Sequence, residues 1–211
     1  MKRGKYELKK RAERQEQTRL RIARATLELH EILGPALTTR SAIAQRAGVT
    51  RPTVYSHFPD EFSLGKACSS LELSDNPLPD PGPWQEVADP EQRLRMALGE
   101  LYAYFRSRER LWTNILRDQE MPLTNDDPQA READAEIMEP IFLHWERMKQ
   151  SLTIGWGASE ESPLLVLSAI GLALDFQTWR AMARTQDLSD EQAIELMAGM
   201  VRCAAGVAGS G

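Results

Sequence analysis

The stretch that decides the fold runs from Thr38 to Phe58 and reads TTRSAIAQRAGVTRPTVYSHF. Threonines at positions 38, 39 and 50 are typical of residues that cap the start of a helix. Between these caps, Gly48 tolerates the left-handed backbone conformation that lets a chain reverse. The spacing therefore predicts two short helices joined by a tight turn at 48–50, with Pro59 ending the second helix.

The second of these helices spans only about eight residues, which is too short to persist without tertiary packing. Val54 and Phe58 fall on its inner face, where Ile43 and Ala47 of the preceding helix can pack against them. A short helix held in this way is the part of a helix-turn-helix that enters the major groove of DNA.

The outer face of the same helix carries small and polar side chains that fit such a groove. Thr53 and Pro52 can contact thymine methyl groups, Ser56 a base edge or phosphate, and Arg51 a guanine or phosphate. Tyr55 and His57 have the reach to bind phosphates, and His57 has no metal-ligand partner at suitable spacing. The complete set of expected DNA-binding residues is Thr38, Thr39, Thr50, Arg51, Pro52, Thr53, Tyr55, Ser56, His57 and Lys66.

The charge distribution supports this interpretation although the chain as a whole is acidic. The 211 residues have a net charge of −5. Residues 1–66 hold 14 Lys and Arg against 7 Asp and Glu, a net of +7, which leaves −12 for residues 67–211. A basic head on an acidic body directs a polyanion to the head.

Residues 20–66 resemble the amino-terminal domain of the TetR family of bacterial transcriptional regulators. The matching positions are Ala23, Thr26, Leu29, Gly34, Thr38-Thr39, Ile43-Ala44, Ala47-Gly48-Val49 and Val54-Tyr55-Ser56-His57-Phe58. The resemblance implies that the remaining, helical part of the chain binds a small effector and forms a dimer.

Two positions depart from the pattern of the family. Where the family commonly has a phosphate-binding lysine, three residues after Phe58, this chain has Glu61, so that contact is expected to be absent. Lys66 would compensate weakly. Pro52 replaces a frequent glycine, which the first turn of a helix accepts.

Beyond the head, the sequence predicts an all-α chain of about nine helices. Pro77, Pro79, Pro81 and Pro83 mark a linker, and Asp89-Pro90, Asp127-Pro128, Ser162-Pro163 and Ser189–Gln192 mark helix starts. The predicted domains are a helix-turn-helix domain at 18–66, preceded by a basic arm at 1–17 that is either mobile or a frayed helix start, and a helical effector-binding and dimerisation domain at 67–211.

Several classes of protein are not expected. The sequence shows no nucleophile–base pair and no cluster of metal-ligand residues, so we predict no enzyme, metal or cofactor. The carboxylates Glu132, Asp134 and Glu136 lack a partner helix rich in Glu and His. The absence of a signal-like start and the two isolated cysteines favour a cytoplasmic protein.

Aromatic side chains after the linker form either a core or the lining of an effector pocket. The lining residues that the family resemblance suggests are Tyr102, Phe105, Trp112, Met138, Phe142, Trp145 and Phe176. Asp175 lies in an apolar helix and either faces solvent or contacts the pocket. His30 is expected to pack partly buried, and His144 to be structural or to line the pocket.

The last two helices, roughly 163–185 and 190–206, carry small residues that permit close helix approach, and by family resemblance they would form a homodimer interface. The function expected is a repressor that a small, largely apolar effector releases from a palindromic operator. The alternative is a DNA-bound scaffold or nucleoid-associated protein that has a protein partner and no effector.

Overall fold

The computed structural model describes residues 2–120, 128–156 and 163–206. Within these ranges the chain is all helical and contains no strand, so the predicted all-α class is confirmed. The helices are α1 (Lys2–Ile32), α2 (Arg40–Ala47), α3 (Arg51–His57), α4 (Glu61–Asp75), α5 (Pro90–Glu120), α6 (Pro128–Thr153), α7 (Pro163–Leu174), α8 (Phe176–Arg180) and α9 (Asp190–Ala204). A 3₁₀ turn, Pro83–Glu86, precedes α5, and a π turn, Ala181–Thr185, continues α8.

Side-chain caps set most of the helix starts where the sequence predicts them. Thr39 and Thr50 accept hydrogen bonds from the backbone of α2 and α3, and Asp60 does the same for α4. The Asp89 carboxylate accepts from the Gln92 amide at 2.7 Å at the start of α5. Ser189 and Gln192 form the predicted capping box of α9. The predicted caps Asp127 and Ser162 lie outside the described residues.

The amino-terminal arm is helical, because α1 begins at Lys2 and continues to Ile32. The side chains from Lys9 to Gln17 are all exposed, and Ile22 is the first buried one among the described side chains of the helix. Of the two predicted states of this arm, the structure shows a helix start rather than an irregular segment.

The predicted helix at 163–185 is interrupted, which corrects the sequence-based expectation. Asp175 adopts an extended backbone and its carboxylate accepts a hydrogen bond from the Thr178 amide at 2.6 Å, so that it caps α8. The chain bends by 61° between α7 and α8. The Asp175 side chain is exposed, which agrees with the solvent-facing alternative of the prediction. Its role as a helix cap was not predicted.

The chain divides into two compact units, each made of two segments. The first unit comprises Met1–Pro77 and Arg110–Met138, and the second comprises Leu78–Glu109 and Glu139–Gly211. The predicted domain boundary at 66/67 stays a prediction. Because α5 and α6 each contribute to both units, neither unit is a single continuous stretch of sequence.

In the first unit, the end of α5 and the start of α6 contact the helices of the amino-terminal segment. Asn114 donates to the backbone oxygens of His30 and Glu31, and Asp118 accepts from the Ala36 amide at 2.8 Å. These bonds satisfy backbone groups at and just after the carboxyl end of α1. The core of this unit is built mainly from α1 to α4 around Ile22, Ile43, Val54, Phe58 and Leu64.

The second unit has its own core, in which the largest fully buried side chains are Trp84, Trp179, Tyr102 and Phe105. Charged pairs join its helices at the surface. Arg95 of α5 binds Glu195 of α9, and Arg106 binds Asp190 at 2.6 Å.

None of the helices in the described ranges is by itself long and apolar enough to cross a membrane. Only α7 and α8 with its π turn, taken together across their bend, reach that length and composition.

Candidate nucleic-acid interface

The turn between α2 and α3 has the geometry that the sequence predicts. Gly48 adopts φ +62°, in the left-handed region, and the Val49 amide donates to the Ala44 oxygen at 2.9 Å. Thr50 begins α3 immediately afterwards, and Val54 and Phe58 are completely buried against the first unit's core. This packing fixes a helix of seven residues whose other face is open to solvent.

The outer face of α3 is polar and partly pre-organised by hydrogen bonds within the helix. The Thr50 and Thr53 hydroxyls share a hydrogen bond of 2.7 Å, and the Ser56 hydroxyl donates to the Thr53 oxygen at 2.9 Å. Arg51, Pro52, Tyr55 and Ser56 are exposed, while Thr53 and His57 are half-buried. The face therefore presents hydroxyl oxygens, a methyl group, a guanidinium and a phenol without any carboxylate.

Two guanidinium groups lie close to the ring of Tyr55. The Arg51 guanidinium is 5.6 Å from the centre of its ring and donates to the phenol oxygen at 3.3 Å, and the Arg40 guanidinium is 5.2 Å from the ring centre. Cation–π attraction of this kind orients an aromatic ring that is otherwise exposed. The Tyr55 hydroxyl is thereby held beside a positive charge, where a phosphate oxygen is favoured.

Arg40 is a positioning residue that the sequence-based prediction did not include. Its side chain is 8% exposed, and it donates to the Phe58 oxygen at 2.7 Å and to the Glu61 carboxylate at 2.8 Å. A single guanidinium thus links the first residue of α2, the residue after α3 and the first residue of α4. From the sequence alone, an arginine in the first turn of a helix would be taken for an ordinary surface charge.

Arg19 supports the same helix end from α1. Its guanidinium lies 4.5 Å from the centre of the Phe58 ring and donates to the His57 oxygen. Both arginines therefore bind backbone oxygens at the carboxyl end of α3, where the helix dipole favours positive charge. Neither contact has a local sequence signature, because the partners are about 20 and 40 residues apart in the chain.

Glu61 and Lys66 are both occupied by contacts within the first unit. Glu61, which stands where the resembling family commonly has a phosphate-binding lysine, binds Arg40. Lys66 binds Glu136 of α6 at 2.8 Å. For Lys66 to contact a phosphate, this ion pair would have to open. Of the remaining predicted residues, Thr39 and Thr50 act as helix caps, and the Thr38 hydroxyl donates to the Gly34 oxygen at 2.7 Å.

Four of the seven predicted effector-lining residues gather in the second unit. Phe105 is at the centre, with ring centres of Phe176 at 5.3 Å, Trp145 at 5.9 Å and Tyr102 at 6.3 Å. Trp179, which the prediction omitted from the lining set, lies 5.6 Å from Phe105. We call these five residues the aromatic cluster.

The other three predicted lining residues lie elsewhere. Trp112 and Met138 belong to the first unit, and Phe142 is 62% exposed on α6. His144 is half-buried, with its Nε2 2.8 Å from the Pro79 oxygen, which is a structural contact to the linker. The Tyr102 hydroxyl donates to the Ala173 oxygen at 3.0 Å, so its polar end is satisfied inside the protein.

A capped helix-turn-helix with a buried inner face and a polar outer face is typical of DNA-binding domains. Residues 22–61 match the family model described as bacterial regulatory proteins, tetR family. Residues 22–61 therefore carry the amino-terminal segment that is typical of the tetR family of bacterial regulatory proteins.

Solved structures of TetR-family proteins share the fold over nearly the whole chain. NalD of Pseudomonas aeruginosa is 22% identical, with 90% of this chain and 96% of that chain covered and a TM-score of 0.57. PfmR of Thermus thermophilus is 20% identical over 90% and 97% of the two chains, with a TM-score of 0.58. A regulator of Mesorhizobium loti is 21% identical over 92% and 98%, also with a TM-score of 0.58. No curated protein sequence matches significantly.

Proposed function

We propose that this regulator is a repressor that binds a palindromic operator as a dimer and is released by a small, largely apolar effector. The observation that carries the proposal is the outer face of α3, where exposed polar groups stand on a helix fixed by buried Val54 and Phe58. That face suits base edges and phosphates of a major groove.

The repressor role is supported by a structural relative. NalD is described as the secondary repressor of the MexAB-OprM multidrug efflux pump. A helix-turn-helix dimer that occupies promoter DNA would likewise block transcription of the gene that follows. Apolar compounds are the expected releasing signal, because the aromatic cluster offers rings and few charges.

A twofold dimer is supported by an unusual concentration of exposed leucines on α7 and α9. Leu164 is 71% exposed, and Leu165, Leu172 and Leu196 are about half exposed or more. Large apolar side chains that are exposed together on a protein surface mark protein interfaces. A symmetric dimer would place two α3 helices in successive major grooves, about 34 Å apart on a palindromic operator.

Effector binding is proposed for the aromatic cluster. Trp145 is half-buried at its edge and its ring stacks on Phe105, so an apolar compound that entered there would separate these rings. Release of DNA follows only if the compound binds the DNA-free state more tightly than the DNA-bound state.

The DNA half of the proposal is tested by fluorescence anisotropy of the purified protein with the region upstream of its own gene and with a scrambled duplex. We expect specific binding on the order of a thousandfold tighter than binding to scrambled DNA. Equal, salt-dependent binding to both duplexes would contradict an operator in that region, and absence of binding at low salt would contradict DNA recognition altogether.

The roles on α3 are tested with matched variants in the same assay. Tyr55→Phe and His57→Ala should weaken binding to all sequences about tenfold, the effect of losing a hydrogen bond to a charged group worth ~1.5 kcal/mol. Thr53→Ala should instead change base preference while nonspecific affinity stays unchanged. A change of base preference in Tyr55→Phe would contradict the assignment.

The effector half is tested by a thermal-shift screen of apolar small molecules, followed by titration of any stabilising compound onto the protein–operator complex. We expect a rise in melting temperature that depends on ligand concentration, quenching of tryptophan fluorescence, and loss of DNA anisotropy. Trp145→Phe is the control that should reduce the quenching and leave the part that arises from Trp179. A compound that stabilises the protein without releasing DNA would contradict the coupling.

A further inference from the structure

One face of α1 carries a row of cations that α3 does not use. With 3.6 residues per turn, positions 10, 14, 17, 21 and 24 align along one side of the helix. They are Lys10, Arg14, Gln17, Arg21 and Arg24, so four of the five are basic. All five side chains are exposed.

The carboxyl end of α2 extends this row. Arg46 joins Gln17, Leu20, Arg21, Arg24 and Glu28 in lining an open groove of about 480 Å³ on the surface of the first unit. We call Lys10, Arg14, Arg21, Arg24 and Arg46 the basic stripe. The groove has an exposed leucine at its side and three guanidinium groups around it.

The basic stripe is only partly neutralised within the protein. Arg46 binds Glu28 at 2.5 Å, and Arg24 lies 3.8 Å from Asp75 in a pair that is largely exposed. Among the described residues, Lys10, Arg14 and Arg21 have no carboxylate at ion-pair distance. Like charges three or four residues apart destabilise a helix slightly, and a polyanion would relieve this repulsion.

The basic stripe is separate from the surface that presents α3. Arg19, which contacts Phe58 and the His57 oxygen, lies roughly half a turn around α1 from the stripe. From Lys10 to Arg24 the stripe is about 21 Å long at 1.5 Å per residue, the length of about six base pairs of duplex DNA. The stripe begins at Lys10, well before Ile22, the first of the described residues of α1 that is buried.

We propose that the basic stripe binds backbone phosphates of DNA outside the base pairs read by α3, and so lengthens the bound site on the outer side of each half-site. The inference rests on the proposed DNA-binding function and adds a contact that carries no base specificity. Each phosphate neutralised would steepen the salt dependence of binding by about 0.9 in the logarithmic slope.

The test compares two duplexes that share one operator core, one ending at the core and one extended by about ten base pairs of arbitrary sequence on each side. The full-length protein is titrated onto both across a range of salt concentrations. We expect the extended duplex to bind about tenfold more tightly at low salt and with a steeper slope. Adding the same extra DNA as a separate scrambled duplex should not reproduce the gain, because the flanks act in continuity with the core.

Two double variants that remove equal charge provide the contrast. Arg14→Gln with Arg21→Gln should remove most of the gain from the flanks and leave binding to the core duplex unchanged. Lys9→Gln with Arg11→Gln, at exposed positions on other sides of α1, should keep the gain.

Equal loss in both double variants, or a wild-type protein that binds both duplexes alike, would overturn the inference and leave an acidic protein segment as the partner to consider. Failure to bind the core duplex would instead overturn the proposed function, and this inference with it.

Discussion

Arg40 ties three helices to one another through a single buried guanidinium. Its bonds to the Phe58 oxygen and to Glu61, and its approach to the Tyr55 ring, hold α3 and the start of α4 in a fixed relation. Glu61 in turn neutralises this charge, which explains how a carboxylate is accepted where the family pattern expects lysine. The ion pair with Arg40 therefore compensates for the presence of Glu61 in place of a lysine.

Arg40→Ala should destabilise the protein by about 1–3 kcal/mol, because the buried Phe58 oxygen loses its charged donor. The measurement is urea unfolding followed by circular dichroism, with Arg11→Ala as an exposed control that should change the midpoint little. An unchanged midpoint in Arg40→Ala would show that water replaces the guanidinium at no cost.

We expect His30 to make the stability of the protein depend on pH. Burial lowers the pKa of His30 below its usual 6.5, although Asp118 and Glu61 act in the opposite direction. As pH falls below about 6.5, the unfolded chain takes up a proton at this position while the folded protein does not, so stability decreases. The loss ends once the pH passes the lowered pKa of the folded state.

We therefore expect the free energy of unfolding to fall between neutral pH and the lowered pKa of His30, and to fall less steeply in His30→Gln. Urea unfolding at a series of pH values measures both. His57→Gln, at a half-buried position on α3, is the matched control. A wild-type profile as flat as that of His30→Gln would contradict a protonation cost at this site.

Residue types and spacing were enough to predict which side of α3 is buried, since Val54 and Phe58 must turn inward if Thr53 and Ser56 turn out. They were not enough to find Arg19 and Arg40, because a long charged side chain that folds back onto a backbone oxygen has no local pattern. Phe142 shows the same limit for aromatic residues. Its residue type suggested that it lines a pocket, but its side chain is exposed on α6 and lies outside the aromatic cluster.

At the level of elements, the helix starts could be predicted from the sequence because a capping residue lies next to the helix that it caps. Thr39, Thr50, Asp89 and Ser189 all cap the helices that follow them. The break at Asp175 was missed because the apolar residues of α7 continue into α8 and conceal the cap. The Asp175–Thr178 spacing carries the signal, which hydrophobic periodicity alone does not register.

Asp175→Ala should lower stability by about 0.5–2 kcal/mol, the usual cost of losing an N-cap side chain. It should also weaken the bend, because residue 175 would then be free to continue the helix. Thermal unfolding tests the first effect, with Gln177→Ala on the exposed side of α8 as the control. Equal effects of the two substitutions would contradict a capping role.

At the scale of the molecule, the exposed leucines of α7 and α9 predict self-association. Leu164→Glu combined with Leu196→Glu should convert the protein to a monomer and weaken operator binding by about tenfold or more, because charged side chains oppose burial at the interface. Analytical ultracentrifugation gives the mass in solution. Leu37→Glu, a residue of the first unit that is 64% exposed, should leave the mass unchanged.

The division of α5 and α6 between the two units limits how this regulator can be cut and recombined. A fragment that stopped after α4 would retain α3 but lose Asn114, Asp118 and Glu136, which bind the end of α1, the loop after it and Lys66. A chimaera that joins the first unit to a different carboxyl-terminal region would have to carry residues 110–138 as well as 1–77. Exchange of one contiguous gene segment would therefore not transfer the first unit whole.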